Sequence, residues 1–309
     1  MSAVICIGSA LVDELFFCKE PVIAGTSNPA NLSRNIGGVL SNVAFHLSYL
    51  GIEVQYVTVI GNDAEASWIK NGLQKVGIDT NGLLEVNDNT GKYVSFLNPD
   101  GSLHAAACVD ICEKYLIPEV LEEKKSLFKK AELIITDTNI SVASLQWVID
   151  FSRESQIPLI IEPVSVAKAR KLAQLDLSGV FMITPNQDEL QSVANDTGSD
   201  EQIMSEKILN SKIKNIWVRK GSEGSVLYNN NGQTKVKAPS IDIVDSTGAG
   251  DAALAGWVAA HLNHMETLHC LEIGHTLAFE VLQVKGAVKH NIDFNTLLDL
   301  RNKYYTHAS

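Results

Sequence analysis

The apolar positions along this 309-residue chain fall into two alternating patterns. Short continuous apolar runs at residues 4–7, 133–136, 159–161, 181–184 and 216–219 have the length of strands buried on both faces. Between them the period lengthens to that of a helix. Residues 39, 40, 43, 44, 47 and 50 make one apolar stripe and predict a helix over 39–50. Residues 54–60 predict a strand, and Asp63 predicts the cap of a helix running to about residue 76. Strands of this kind alternating with helices predict a parallel sheet with helices on both faces.

Two regions have a different texture. Extended runs at 93–97 and 104–108 flank Asn98-Pro99-Asp100-Gly101-Ser102, where Pro presets a turn and Gly accepts a left-handed backbone. Neither run is apolar on both faces, so they predict a half-exposed antiparallel sheet. Residues 8–34 show no helical period. Runs at 225–228 and 234–236, joined across Asn229-Asn230-Asn231-Gly232, predict a hairpin at the edge of the main sheet. Helical patterns follow at 248–260 and from 268 to about 284. The expectation is a single α/β domain over 1–309. It has a doubly wound, mostly parallel sheet, with a small antiparallel β lid formed by segments near 11–34 and 83–110.

Composition narrows the function classes. A formal net charge of −11 repels the phosphates of nucleic acids and anionic membranes. Five cysteines, odd in number and widely spaced, make neither a disulfide framework nor a zinc set, and are expected to be reduced packing thiols. The N-terminal residues lack a basic segment followed by a long apolar stretch. No apolar run approaches the ~20 residues that span a bilayer, so a cytoplasmic location is expected.

The densest chemistry lies in Ile243-Val244-Asp245-Ser246-Thr247-Gly248-Ala249-Gly250-Asp251-Ala252-Ala253. Gly248, Ala249 and Gly250 leave backbone N–H groups uncovered where a helix begins, which is an anion site. Asp251 repels an anion bound there. A general base aimed at an incoming hydroxyl would explain its position, and so would an acid favoured by the helix dipole. The chain has no G-x-x-x-x-G-K-[ST] and no G-x-G-x-x-G after its first strand, which argues against a P-loop enzyme and a dinucleotide-binding domain.

Asp-x-Thr-Gly-Ala-Gly-Asp late in the chain, with Gly37-Gly38 and Asn42 early, resembles the two signatures of the ribokinase-like (PfkB) carbohydrate kinase family. The resemblance covers essentially the whole chain. It implies ATP-dependent phosphorylation of a small-molecule hydroxyl, with Asp251 as the base and Gly248, Ala249 and Gly250 as the anion hole. It implies that Asp13, Gly37, Gly38 and Asn42 hold the sugar. It places Asn186 near the nucleotide phosphates and Glu189 near the water shell of Mg2+. It assigns Lys220, Gly221 and Gly224 to a nucleotide loop, His275 to the adenine and Asp245 to a K+ site. A lid-to-lid homodimer is expected as well. Glu162-Pro163 departs from the commoner Asp-Pro pair.

Asp137-Thr138-Asn139-Ile140-Ser141 and Glu162-Pro163-Val164-Ser165-x-x-Lys168 resemble the pseudouridine kinase branch, which implies a nucleoside 5′-hydroxyl as acceptor and places Asn139 and Lys168 at the substrate. Two other readings remain open: a kinase for another sugar or nucleoside (ribose, adenosine, inosine or a keto-sugar acid), and a sugar-binding regulatory protein descended from a kinase.

Overall fold

The computed structural model describes residues 3–239 and 241–305. Its main sheet has eight strands. From one edge to the other they are Gly232–Val236, Ser225–Asn229, Asn215–Arg219, Met182–Ile183, Leu159–Glu162, Ala131–Asp137, Ala3–Ile7 and Glu53–Val57. Neighbours from Asn215–Arg219 to Glu53–Val57 pair in parallel, and Ser225–Asn229 and Gly232–Val236 form the antiparallel edge hairpin that the Asn-rich turn predicts. The parallel strands are continuously apolar because both faces are covered. Val4, Cys6, Ile135 and Ile160 pack into one core, and Ile5, Ile7, Ile134 and Ile161 into the other.

Chain order reverses around Ala3–Ile7, which lies between Glu53–Val57 and Ala131–Asp137. In an open sheet of this kind a crevice forms at the carboxyl ends of the strands at that reversal. A second sheet leaves from there, in the order Ala30–Gly37, Leu11–Cys18, Lys92–Leu97 and Leu103–Val109. It consists of two antiparallel hairpins joined by one parallel pairing between Leu11–Cys18 and Lys92–Leu97. Its register puts Asn35, Asp13, Tyr93 and Cys108 in one cross-strand row, and Leu32, Phe16, Phe96 and Ala105 in a row on the opposite face.

The predicted strand over 54–60 is two strands, Glu53–Val57 and Val59–Ile60, and the second pairs with Leu84–Glu85 instead of the main sheet. Thr58 sits at the break, where its Oγ1 accepts a hydrogen bond from the Ala10 amide (3.0 Å). Asp63 caps the helix Ala64–Lys75 as predicted, accepting from the Ala66 amide (2.8 Å).

The helix Ala249–Leu262 is apolar all round, and its residues 252–260 are buried. It packs against both Val39–Tyr49 and Thr267–Leu282. Gly256 and Gly274 allow close contact between Ala249–Leu262 and Thr267–Leu282. A β-carbon on Gly274 would lie 2.6 Å from the Ala253 carbonyl oxygen. This tight crossing fixes where the N-terminus of Ala249–Leu262 points.

Gly224 closes the turn between Asn215–Arg219 and Ser225–Asn229 at φ +94°, where a β-carbon would stand 1.9 Å from the Val236 carbonyl oxygen. Gly224→Ala is expected to destabilise the protein by about 1–3 kcal/mol. The expected readout is a lower urea midpoint with an unchanged m-value.

Candidate active site

Five parallel strands end in or just before a polar residue. Gly8 and Ser9 follow the first strand. Asp137, Glu162 and Arg219 are the last residues of theirs, and Thr184 follows Met182–Ile183. Their side chains and backbone groups form one polar ledge, and the N-terminus of Ala249–Leu262 meets it.

Gly248 is the N-cap of that helix in the left-handed conformation (φ +75°), and no side chain caps the helix. Its first amides are therefore available to an anion. The approach is close on both sides. A β-carbon on Gly248 would lie 2.5 Å from the Ala287 carbonyl oxygen, and one on Gly250 would lie 2.8 Å from a guanidinium nitrogen of Arg219.

Asp251 stands in the first turn, and its Oδ2 accepts from the side-chain amide of Asn42 (2.8 Å). Burial pushes the Asp251 carboxyl up to about 7. The hydrogen bond from Asn42 opposes that shift, the charge of Glu162 adds to it and that of Arg219 opposes it. Asn42 is itself buried, and its Oδ1 has no hydrogen-bond partner among the described residues. A carboxylate with a pKa near neutrality, held by an oriented amide beside an anion cradle, is equipped to take a proton from a hydroxyl.

Asp13 is partly buried, and burial raises its carboxyl to about 6. Gly37 lies against it so closely that a β-carbon there would stand 2.1 Å from the carboxyl carbon. Gly38, at φ +98°, packs against the Ser9 carbonyl and precedes the helix Val39–Tyr49 that carries Asn42. The glycine pair thus joins the small sheet to the helix that reaches Asp251.

A second buried acid occupies the crevice. Asp137 is fully buried, and its oxygens accept from the backbone amide (2.9 Å) and the side-chain amide (2.8 Å) of Asn139. Burial raises its carboxyl to about 7. Lys168 donates to Asn139 Oδ1, and its charge reaches the thiol of Cys108 in the small-sheet row.

Glu162 and Arg219 form a buried ion pair (2.7 Å). Arg219 also donates to the carbonyls of Thr184 (2.5 Å) and Gly250 (3.0 Å), and Thr184 Oγ1 donates to Glu162 (2.6 Å). Sequence reasoning does not pair these two residues: it places Glu162 in the segment Glu162-Pro163-Val164-Ser165-x-x-Lys168, as a departure from the commoner Asp-Pro pair, and Arg219 directly before Lys220 of the nucleotide loop. The signal available was a strand ending in Arg and another ending in Glu, a pairing legible only once the strand order is known.

Asn186 and Glu189 form a reciprocal capping box on the helix Gln187–Ala194, with both bonds at 2.9 Å. Lys220 pairs with Glu201 (3.2 Å) and Glu223 (3.7 Å), and Gly221 begins the turn that Gly224 ends. His275 is buried, and its Nε2 is 2.7 Å from the Ser225 hydroxyl, which also accepts from Trp217. Burial lowers its imidazole to about 4, so it is a neutral interior ring. Asp245 accepts from the amides of Thr247 (2.9 Å) and Gly286 (3.0 Å), tying the approach to Gly248 to the segment around Ala287. The structure thus brings Asp13, Gly37, Gly38, Asn42, Gly248, Ala249, Gly250 and Asp251 into one centre. Lys220, Gly221, Gly224 and His275 lie at the far, antiparallel end of the ledge.

The family model for pfkB family carbohydrate kinases matches residues 1–293. The chain belongs to that family. As a pfkB family member it is an ATP-dependent sugar or nucleoside kinase. It is 26% identical over 267 residues to pseudouridine kinase of Escherichia coli (strain K12), covering 85% of this chain and 84% of that protein. It is 31% identical over 193 residues to pseudouridine kinase of Arabidopsis thaliana, covering 62% of this chain and 50% of that protein. The structure of Arabidopsis thaliana ribokinase complexed with ribose and ATP matches with a TM-score of 0.83 at 22% identity, covering 97% of this chain and 99% of that one. The kinase therefore has the ribokinase fold. Among the described residues no helix is long and apolar enough to cross a membrane.

Proposed function

We propose that this pfkB kinase phosphorylates the 5′-hydroxyl of a nucleoside, and that the nucleoside is pseudouridine. The observation that carries the nucleoside reading is the cross-strand row from Asp13 through Tyr93 to Cys108, whose thiol feels the charge of Lys168, the residue that donates to Asn139. Adjacent strands are ~4.8 Å apart, so the row extends ~10 Å past the sugar-holding acid. A free sugar fills the Asp13 end alone, whereas a nucleoside places its base along the row and its polar edge at Lys168. The two pseudouridine kinases to which the chain is similar support that choice of base.

In this reading Asp13 and Asn42 accept and donate hydrogen bonds to the ribose, and Gly37 and Gly38 let it approach the backbone. Asp251 takes the proton of the hydroxyl as it attacks, and Asn42 keeps the carboxylate aimed. The amides of Gly248, Ala249 and Gly250 face the charge that develops on the phosphoryl group. Bound Mg2+ supplies charge neutralisation to the triphosphate. Among the described residues there is no cluster of three or more metal-ligating side chains, which suits an ion held mainly by nucleotide and water. Asn186 spends Glu189 Oε2 in the capping box, which leaves Oε1 to meet the water shell of Mg2+. Asp245 is the carboxylate we assign to a K+ site, through lone pairs that Thr247 and Gly286 leave. The small sheet closes as a lid. Its outer row, with Phe16 and Phe96 stacked at 5.4 Å and Leu32 half exposed, is the apolar face that a second copy covers.

The test is ATP consumption against pseudouridine, uridine, adenosine, inosine, ribose and 2-deoxyribose, with and without K+. Pseudouridine is expected to be phosphorylated with the highest kcat/KM, and K+ is expected to raise the rate. Faster turnover of ribose or another nucleoside would overturn the choice of acceptor. Turnover of none of them would favour a silent binding protein.

A further inference from the structure

The Asp137–Asn139–Lys168 chain contains one member that cannot touch an acceptor. Asp137 is fully buried at the end of its strand, and Gly8 must be a glycine to admit it. A β-carbon on Gly8 would lie 2.6 Å from the Asp137 carboxyl group. A buried acid is costly unless its hydrogen bonds matter. The loop has other ties besides this one. The Thr138 amide donates to the Glu162 carbonyl (3.2 Å), and Thr138 Oγ1 donates to the Pro163 carbonyl (2.6 Å). Lys171 donates to the carbonyls of Thr138 (3.1 Å) and Ile140 (2.9 Å), and Ser141 caps the next helix. The backbone is thus held from three sides besides the bond from the Asn139 amide to the carboxylate, a bond that the side-chain oxygen of Asp137→Asn can still accept.

The remaining variable is the Asn139 amide. Its oxygen and nitrogen ends are nearly the same shape, and a turn of about 180° exchanges donor for acceptor. Once ionised, above about pH 7, the Asp137 carboxylate accepts only and compels the NH2 end toward itself and the oxygen toward Lys168. We propose that Asp137 is a positioning residue for acceptor specificity, locking the Asn139 amide in one orientation and through it aiming the Lys168 ammonium into the acceptor cleft. The edge so presented combines the Lys168 donor with the free lone pair of Asn139 Oδ1. The matching ligand is a planar base with neighbouring carbonyl and N–H groups, a uracil-type edge. The proposal rests on the reading above in which Asn139 and Lys168 face the acceptor.

The experiment is a double-mutant cycle on the full chain, using whichever acceptor the wild-type protein phosphorylates fastest. Asp137→Asn keeps shape but can offer either end of its own amide. It is expected to raise the acceptor KM roughly ten- to hundredfold, with the KM for ATP within about twofold. Asn139→Ala is expected to do the same, and Asp137→Asn in that background to add less than about twofold. An unchanged acceptor KM, or two effects that multiply in full, would overturn the proposal. If melting curves show that Asp137→Asn is unfolded, Lys168→Met carries the test. A raised acceptor KM with an unchanged KM for ATP supports the proposal, and an unchanged acceptor KM defeats it. A panel won by ribose overturns the pseudouridine reading and the uracil-type edge, while the cycle still decides on ribose whether Asp137 acts through Asn139.

Discussion

Asp251→Asn is expected to lower kcat about 10²–10⁴-fold, the usual contribution of a positioned general base. The KM values should change little, because Asn preserves the shape of a group that Asn42 already contacts. The wild-type rate should also depend on pH. Burial holds the Asp251 carboxyl near 7, so it acts as a base only once deprotonated. The kcat profile should fall below about pH 7 with a slope of one proton, and the residual activity of Asp251→Asn should lose that limb. Stability should move the other way. The native pKa lies above the ordinary carboxylate value, so the folded state holds a proton between the two, and the charged form costs stability as pH rises through that window. The variant escapes this cost and should melt at least as high as wild type at pH 8. A variant that retained near-full kcat while folded would remove Asp251 from the chemistry.

Arg219→Met should unfold at lower temperature, with a loss of about 3–5 kcal/mol, because it leaves Glu162 as an unpaired buried charge. The pair is well enclosed, with side-chain exposures of 15% for Arg219 and 5% for Glu162. The change also removes donors from the carbonyls of Thr184 and Gly250. Adding Glu162→Gln should recover part of the stability, since the stranded charge is then gone. Recovery of kcat is not expected, because the Gly250 carbonyl still lacks its tie and the anion cradle is free to shift. Equal melting temperatures for Arg219→Met and wild type would show that the pair is not the strut described.

How much of this was legible beforehand follows from the range of each interaction. The parallel strands and the Asp63 cap are local patterns, and period and turn chemistry expose them. The cradle of Gly248, Ala249 and Gly250 is likewise contiguous. The Asn42–Asp251 bond spans 209 residues, and only a resemblance placed its two ends in one centre. The Glu162–Arg219 pair, 57 residues apart, left no such trace, because an acid and a base at two strand ends have no distinctive spacing. The resemblance assigns His275 to the adenine; in the structure its ring meets Ser225 and Trp217, and the periodicity of its helix alone does not show which face meets them. The Asn186–Glu189 spacing fits a capping box, and the structure contains one.

The distance along the chain between Asn42 and Asp251 has a consequence for how the protein is made. The first sheet strands, the small sheet and the helix Val39–Tyr49 all precede the base. At translation rates of roughly 5–20 residues per second, Asp251 follows its partner out of the ribosome by about 10–40 s. During that interval a nascent chain can present an acceptor cleft but has no group to deprotonate the acceptor and no cradle for a phosphoryl group. Such a chain cannot squander nucleotide triphosphate before the helix Ala249–Leu262 docks. Turnover therefore reports that the last large helical layer has closed on the first, and loss of activity during gentle denaturation should precede loss of the sheet itself.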